Sequence, residues 1–160
     1  MSQKTYICNH TLCDENYNQQ TTNTAMNKDI RPKQGYGPLA FDMAVEQVVE
    51  LLGKADEVEC IDNAADEPTT VLHYEGLTLF CEGENPVLSC IDISDDDATL
   101  FGRSVFDLDE QQIVRLMVDN NYFEQDADNE DWGERRISFG EGNIDFYFDE
   151  GELMSVIIGR

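Results

Sequence analysis

The sequence predicts an α+β fold: two tandem repeats, each a helix followed by a three-stranded antiparallel meander, with the helices packed on one face of the sheet. Three observations carry this. A twelve-residue segment recurs along the chain, the apolar residues of both copies fall at helical spacing, and strand-like segments follow each copy.

The first copy is Phe41-Asp42-Met43-Ala44-Val45-Glu46-Gln47-Val48-Val49-Glu50-Leu51-Leu52, and the second begins 65 residues later, at Phe106, and ends at Met117. Five of the twelve positions are identical, and Met43/Leu108, Val48/Ile113 and Leu52/Met117 stay apolar. Val45, Val48, Val49 and Leu52 make one helical stripe; Ile113, Leu116 and Met117 make the other. Asp109, with Gln112 three residues on, has the pattern of a capping box, whereas the first copy has Ala44 at that position and leaves Asp42 as the nearby cap. Gly53 is placed to close the first helix in a left-handed conformation.

Strands are expected at Val71–Tyr74, Leu77–Cys81 and Val87–Ile93, and again at Arg136–Phe139, Ile144–Phe148 and Leu153–Ile158. Alternation is plainest in Ile144-Asp145-Phe146-Tyr147-Phe148, which buries Ile144, Phe146 and Phe148 and turns Asp145 and Tyr147 the other way. Glu75-Gly76, Gly83-Glu84-Asn85-Pro86 and Asp149-Glu150-Gly151-Glu152 supply hairpin turns. The repeats span 38–101 and 102–160. Residues 1–37, polar and without periodicity, read as a flexible arm that ends at Gly35-Tyr36-Gly37-Pro38.

The 160 residues include 34 acidic and 10 basic ones, a formal net charge of −24. With 41% hydrophobic residues, 8 Phe and 6 Tyr, the chain has material for a core, so its acidity does not imply disorder. The charge is uneven. The arm holds four basic and three acidic residues, while 38–160 hold six basic against 31 acidic, a net −25. Such a surface argues against binding nucleic acid or an anionic membrane and would steer a basic protein toward it. The N-terminus has no apolar run of signal-peptide length, and five cysteines without a signal suggest free thiols, so a cytoplasmic location is expected.

The stretch from Phe41 to Glu57, with Leu51-Leu52-Gly53-Lys54-Ala55-Asp56-Glu57, resembles the helix and Leu-Gly-x-Pro-x-Glu opening of small helix-plus-meander modules, with Ala55 in place of the proline. Those modules occur in the β-lactamase inhibitory protein fold and in outer-membrane assembly lipoproteins of the SmpA type, and the tandem arrangement is similar to the former. Small acidic proteins of this build also look like bacterial toxin immunity proteins. The resemblance implies a protein-binding role and no catalytic residues.

Other chemistry is thinly represented. Cys8-Asn9-His10-Thr11-Leu12-Cys13 groups two thiols and an imidazole but lacks a fourth zinc ligand at suitable spacing. A thiol enzyme would need His10 or His73 beside an activated cysteine, with Cys81 and Cys90 the candidates on strands. Asp92–Asp97 and Asp126–Asp131 have carboxylates at alternate positions but lack the glycine and terminal glutamate of an EF-hand loop. The sequence leaves calcium binding by these acidic loops open; no metal site and no cofactor is expected.

The expectation is a non-enzymatic immunity protein whose acidic surface binds a cognate toxin with a basic cleft and occludes its active site. The alternative is an adaptor or chaperone-like protein for a secreted effector, without inhibition. The residues expected to touch the partner are Phe80, Trp132 and Tyr147 as aromatic anchors, near Glu75, Asp131 and Asp145.

Overall fold

The computed structural model describes residues 27–62 and 66–160, together with the backbone of Thr5–Tyr6. Among these residues the chain is mostly β, with two α-helices, α1 (Val45–Leu52) and α2 (Glu110–Asp119). Its strands are β1 (Thr5–Tyr6), β2 (Asp29–Arg31), β3 (Gly35–Tyr36), β4 (Leu39–Ala40), β5 (Glu57–Ile61), β6 (Thr69–Tyr74) and β7 (Leu77–Glu82), followed by β8 (Val87–Ile93), β9 (Thr99–Leu100), β10 (Arg103–Ser104), β11 (Gln125–Asn129), β12 (Arg135–Phe139), β13 (Ile144–Asp149) and β14 (Glu152–Gly159).

This corrects the expected pair of three-stranded repeats. The strands form a nine-stranded antiparallel sheet, ordered β1-β5-β6-β7-β8-β14-β13-β12-β11, and a second, five-stranded sheet, β10-β9-β2-β3-β4. Three strands of the large sheet, β1, β5 and β11, were not expected, and the second sheet was not expected at all. Residues 29–37, assigned to the flexible arm, contribute β2 and β3 and bury Ile30 and Tyr36. The rest of that arm lies outside the described residues, apart from the backbone of β1.

Both helices are shorter than the sequence copies that announced them. In the first copy the chain reaches α1 only at Val45, and the second passes through a single 3₁₀ turn, Val105–Asp107, before α2. Asp109 and Gln112 form the full capping box, each side chain accepting the other residue's backbone N–H at 2.9 Å. The first helix starts at Ala44 with half of that device, the Ala44 N–H donating to Gln47 Oε1 at 3.0 Å. Asp42 is no cap; it accepts from Arg160 Nη1 at 2.8 Å. Gly53, at φ 82°, closes α1 with its N–H on the Val49 carbonyl.

Register decides which side chains are buried. Across the large sheet Leu72, Leu79, Ile91, Ile158, Ile144 and Phe139 follow one another on neighbouring strands, as do Leu77, Ile93, Val156, Phe146 and Ile137. All of these are buried in one cluster with Val45 and Val48 of α1 and Ile113 and Met117 of α2. The helices therefore lie on one face of the sheet. Ile30, Tyr36, Leu39 and Leu100 of the second sheet join the same cluster. Arg135 braces that side with a bidentate bond to Glu110 of α2, at 2.8 and 2.9 Å.

The second sheet turns tightly between β2 and β4. Arg31 donates to the carbonyls of Gly37 at 2.7 Å and Leu39 at 3.0 Å, clamping the turn. Gly35, at φ 153°, leaves no space for a side chain: a Cβ there would meet the Leu39 carbonyl oxygen at 1.9 Å. Gly35→Ala should lower the unfolding free energy by about 3 kcal/mol. Gly133→Ala, at positive φ but with nothing within 4 Å, should cost only about 1 kcal/mol. Urea unfolding of the two variants checks the difference.

Candidate functional site

Because a strand alternates its side chains, the residues between those core positions form the opposite face of the large sheet. One row runs Glu57, His73, Thr78, Asp92, Ile157, Asp145, Ser138 and Asp126 from β5 to β11. On one side of it lie Glu59, Val71, Phe80 and Cys90, and on the other Ser155, Tyr147, Arg136 and Asp128. No described helix or strand lies over this face. Phe80, Cys90, Asp92, Ile157, Asp145 and Tyr147 are half-buried and stand outside the core cluster.

The face is acidic at its centre. Cys90 sits among Asp92, Asp145 and Glu82, beside a shallow depression lined also by Ser89, Asn143, Ile157, Gly159 and Arg160. Arg160 reaches from the end of β14 to Glu82 at 3.1 Å as well as to Asp42. Arg136 pairs with Asp128 at 3.1 Å and approaches Glu130 at 3.6 Å. Asp92 and Asp145 make no ion pair with a described residue, and Glu59 meets only the imidazole of His73, at 3.7 Å.

The six expected partner residues separate into two groups. Phe80, Asp145 and Tyr147 share the open face, as alternation required. Glu75, Asp131 and Trp132 lie in hairpin turns, β6–β7 for the first and β11–β12 for the other two, and all three are exposed. Trp132 donates its indole N–H to Glu134 Oε2 at 2.6 Å, which leaves the ring two-thirds exposed. Sequence reasoning missed Asp92 and Ile157, which sit between Phe80 and Asp145. Asp92 was legible from the alternation of Val87–Ile93; Ile157 is hidden in the continuous apolar run Val156-Ile157-Ile158.

The other chemistry fares as follows. His73 lies on the open face, with Nε2 3.7 Å from Glu59, while Cys81 is buried on the opposite face. Cys90 is two strands away from His73 and offset along them, about 10 Å at the least by sheet spacing. No thiol–imidazole pair forms among the described residues. Asp95 and Asp97 are occupied by Lys28, at 2.7 and 3.4 Å, and no group of His, Cys, Asp and Glu among the described residues is arranged for a metal ion. The Cys8–Cys13 motif lies outside them. Cys60 is disulfide-bonded, which corrects the expectation of free thiols at that position; Cys81 and Cys90 are free. No helix among the described residues is long and apolar enough to cross a membrane.

Two expectations follow from the electrostatics. Burial, then the charges of Asp92, Asp145 and Glu82, pushes the Cys90 thiol up to about 11. Alkylation of Cys90 by iodoacetamide, followed by mass spectrometry, should therefore be slow at pH 7.5 and accelerate toward pH 11. Burial, and then Glu134, holds the Asp92 carboxyl above the ordinary 3.8. Its folded form binds a proton more tightly than the unfolded chain does. Its contribution to stability is therefore complete below pH 3.8 and is lost as pH rises through the raised value. Asp92→Asn should raise the urea midpoint at pH 7 and leave it unchanged at pH 3.

No family model matches the chain, and neither does any curated protein or solved structure.

Proposed function

We propose that the chain is an immunity protein: a non-enzymatic inhibitor that binds a cognate bacterial toxin with a basic cleft and occludes its active site. The observation that carries this reading is the open face of the large sheet, where Phe80, Tyr147 and Ile157 stand among Asp92, Asp145 and Glu82. A binding surface needs apolar anchors that gain by leaving water and charges that orient the partner, and this face has both. Unpaired carboxylates on a body of net −25 accelerate encounter with a cationic surface, and the gain falls with salt. The same charge disfavours nucleic acid and anionic lipid as partners.

The sequence-based argument for a cytoplasmic location relied on the lack of a signal-peptide run and on free thiols. The disulfide at Cys60 removes the second support, since such bonds persist mainly in oxidising compartments. Counting reactive thiols in the denatured, unreduced protein decides between the two.

The test is genetic and biochemical together. Deleting the gene should sensitise cells to a toxin encoded beside it, and the two purified proteins should co-elute at low salt. Asp145→Lys with Tyr147→Ala should weaken the complex at least 100-fold, about 3 kcal/mol, without lowering stability. A complex that forms while the partner stays fully active would make the chain an adaptor for a secreted effector instead. Failure to retain any basic partner at low salt would end both readings.

A further inference from the structure

We propose that the free edge of β11 is a docking strand for an extended segment of a basic protein, one with Lys or Arg at alternate positions. The inference concerns an edge of the sheet rather than its open face, and it stands whether or not the partner is a toxin.

The large sheet ends differently on its two sides. At one end β1 lies along β5; at the other β11 pairs, among the described residues, with β12 alone. All five residues of β11, Gln125-Asp126-Ala127-Asp128-Asn129, are exposed. The ladder bonds at its two ends set the alternation: the Gly140 N–H donates to the Glu124 carbonyl, and the Glu130 N–H to the Glu134 carbonyl. In an antiparallel pair such bonds recur at every second residue. Asp126 and Asp128 therefore point their backbone groups at β12, while Gln125, Ala127 and Asn129 point theirs outward. The Ala127 amide, turned away from β12, is covered only by the side chain of its own neighbour, Asp126 Oδ1 at 3.0 Å. An exposed row of outward amides and carbonyls is a template for another strand.

Charge selects the occupant. An added antiparallel strand places its side chains directly opposite Asp126 and Asp128, and these are the closely spaced, non-hydrogen-bonded positions. If the occupant were a second copy of β11 paired about Ala127, Asp126 of each copy would face Asp128 of the other, like charges at the closest cross-strand distance. The edge thus discourages its own pairing. A segment with cations at positions i and i+2 reverses the sign of both contacts. Asp128 already shares Arg136, but Asp126 and the nearby Asp131 make no ion pair among the described residues. Two of the five large exposed apolar side chains among the described residues also bracket the strand, Phe123 at 62% and Trp132 at 67% exposure, and can cover the ends of an extended segment.

Trp132 is the only tryptophan of the chain, so its emission reports on this edge. Three labelled octapeptides are titrated, with fluorescence anisotropy measuring affinity: one alternating lysine and valine, one with the same four lysines consecutive, and the alternating one N-methylated at every second amide. The alternating peptide should bind saturably with a change in Trp132 emission, and the other two at least tenfold more weakly. Ala127→Pro should weaken the alternating peptide at least tenfold and leave the urea midpoint unchanged, because proline at an outward-facing amide removes no ladder bond. Asp126→Asn with Asp128→Asn gives the charge effect without touching the backbone, and should also weaken binding. Equal affinity for all three peptides would reduce the interaction to charge adhesion and overturn strand addition, as would wild-type binding by Ala127→Pro. So would the absence of saturable binding.

Discussion

The pairing of β8 with β14 is the interaction on which the rest of this structure depends. These strands come from the middle and the end of the chain, and each closes the meander that follows one of the helices. Their contact joins Ile91 to Ile158 and Ile93 to Val156, four side chains that are all fully buried. Because the final strands meet, the order runs β5-β6-β7-β8 on one side of the seam and β14-β13-β12-β11 on the other. That order brings both helices to the same face. It consumes two edges that would otherwise be open, and it leaves the opposite face as one continuous surface. Arg160, at the end of β14, adds polar bonds across the seam to Asp42 and Glu82.

The proposed binding surface follows from that geometry more than from any one residue. Asp92 belongs to the first side of the seam and Asp145 to the second, with Ile157 between them. The face they share exists only while the seam is closed. Holding these groups there has a cost: burial first, and neighbouring carboxylates second, raise the proton affinities of Asp92 and Cys90. Such local conflict with stability is what the proposed binding role of this face entails.

Much of the large sheet was legible because its inner strands obey a period of two. Ile144-Asp145-Phe146-Tyr147-Phe148 sorts its residues between the faces by alternation alone, and the placement of Phe80, Asp145 and Tyr147 follows. The fold class was misread where that signal is missing. β11 is an edge strand exposed along its whole length, so Gln125–Asn129 carries no apolar alternation at all. β5 has Glu57 and Glu59 on the open face and reads as an acidic loop. β2, β3 and β4 have two or three residues each, too few to show a period, and Ile30 and Tyr36 were lost in a polar stretch. Glu75, Asp131 and Trp132 were grouped with the face on chemistry alone, whereas turn residues such as Gly76 and Gly133 carry them off the strands.

Amide hydrogen exchange at the seam tests the central claim most directly. If β8–β14 pairing unites the two sides into one cooperative sheet, the amides of β8 and β14 exchange last and at a common rate set by global unfolding. Exchange of one of these strands well ahead of the other would show two sides that open independently, and the single face built across them would not stand.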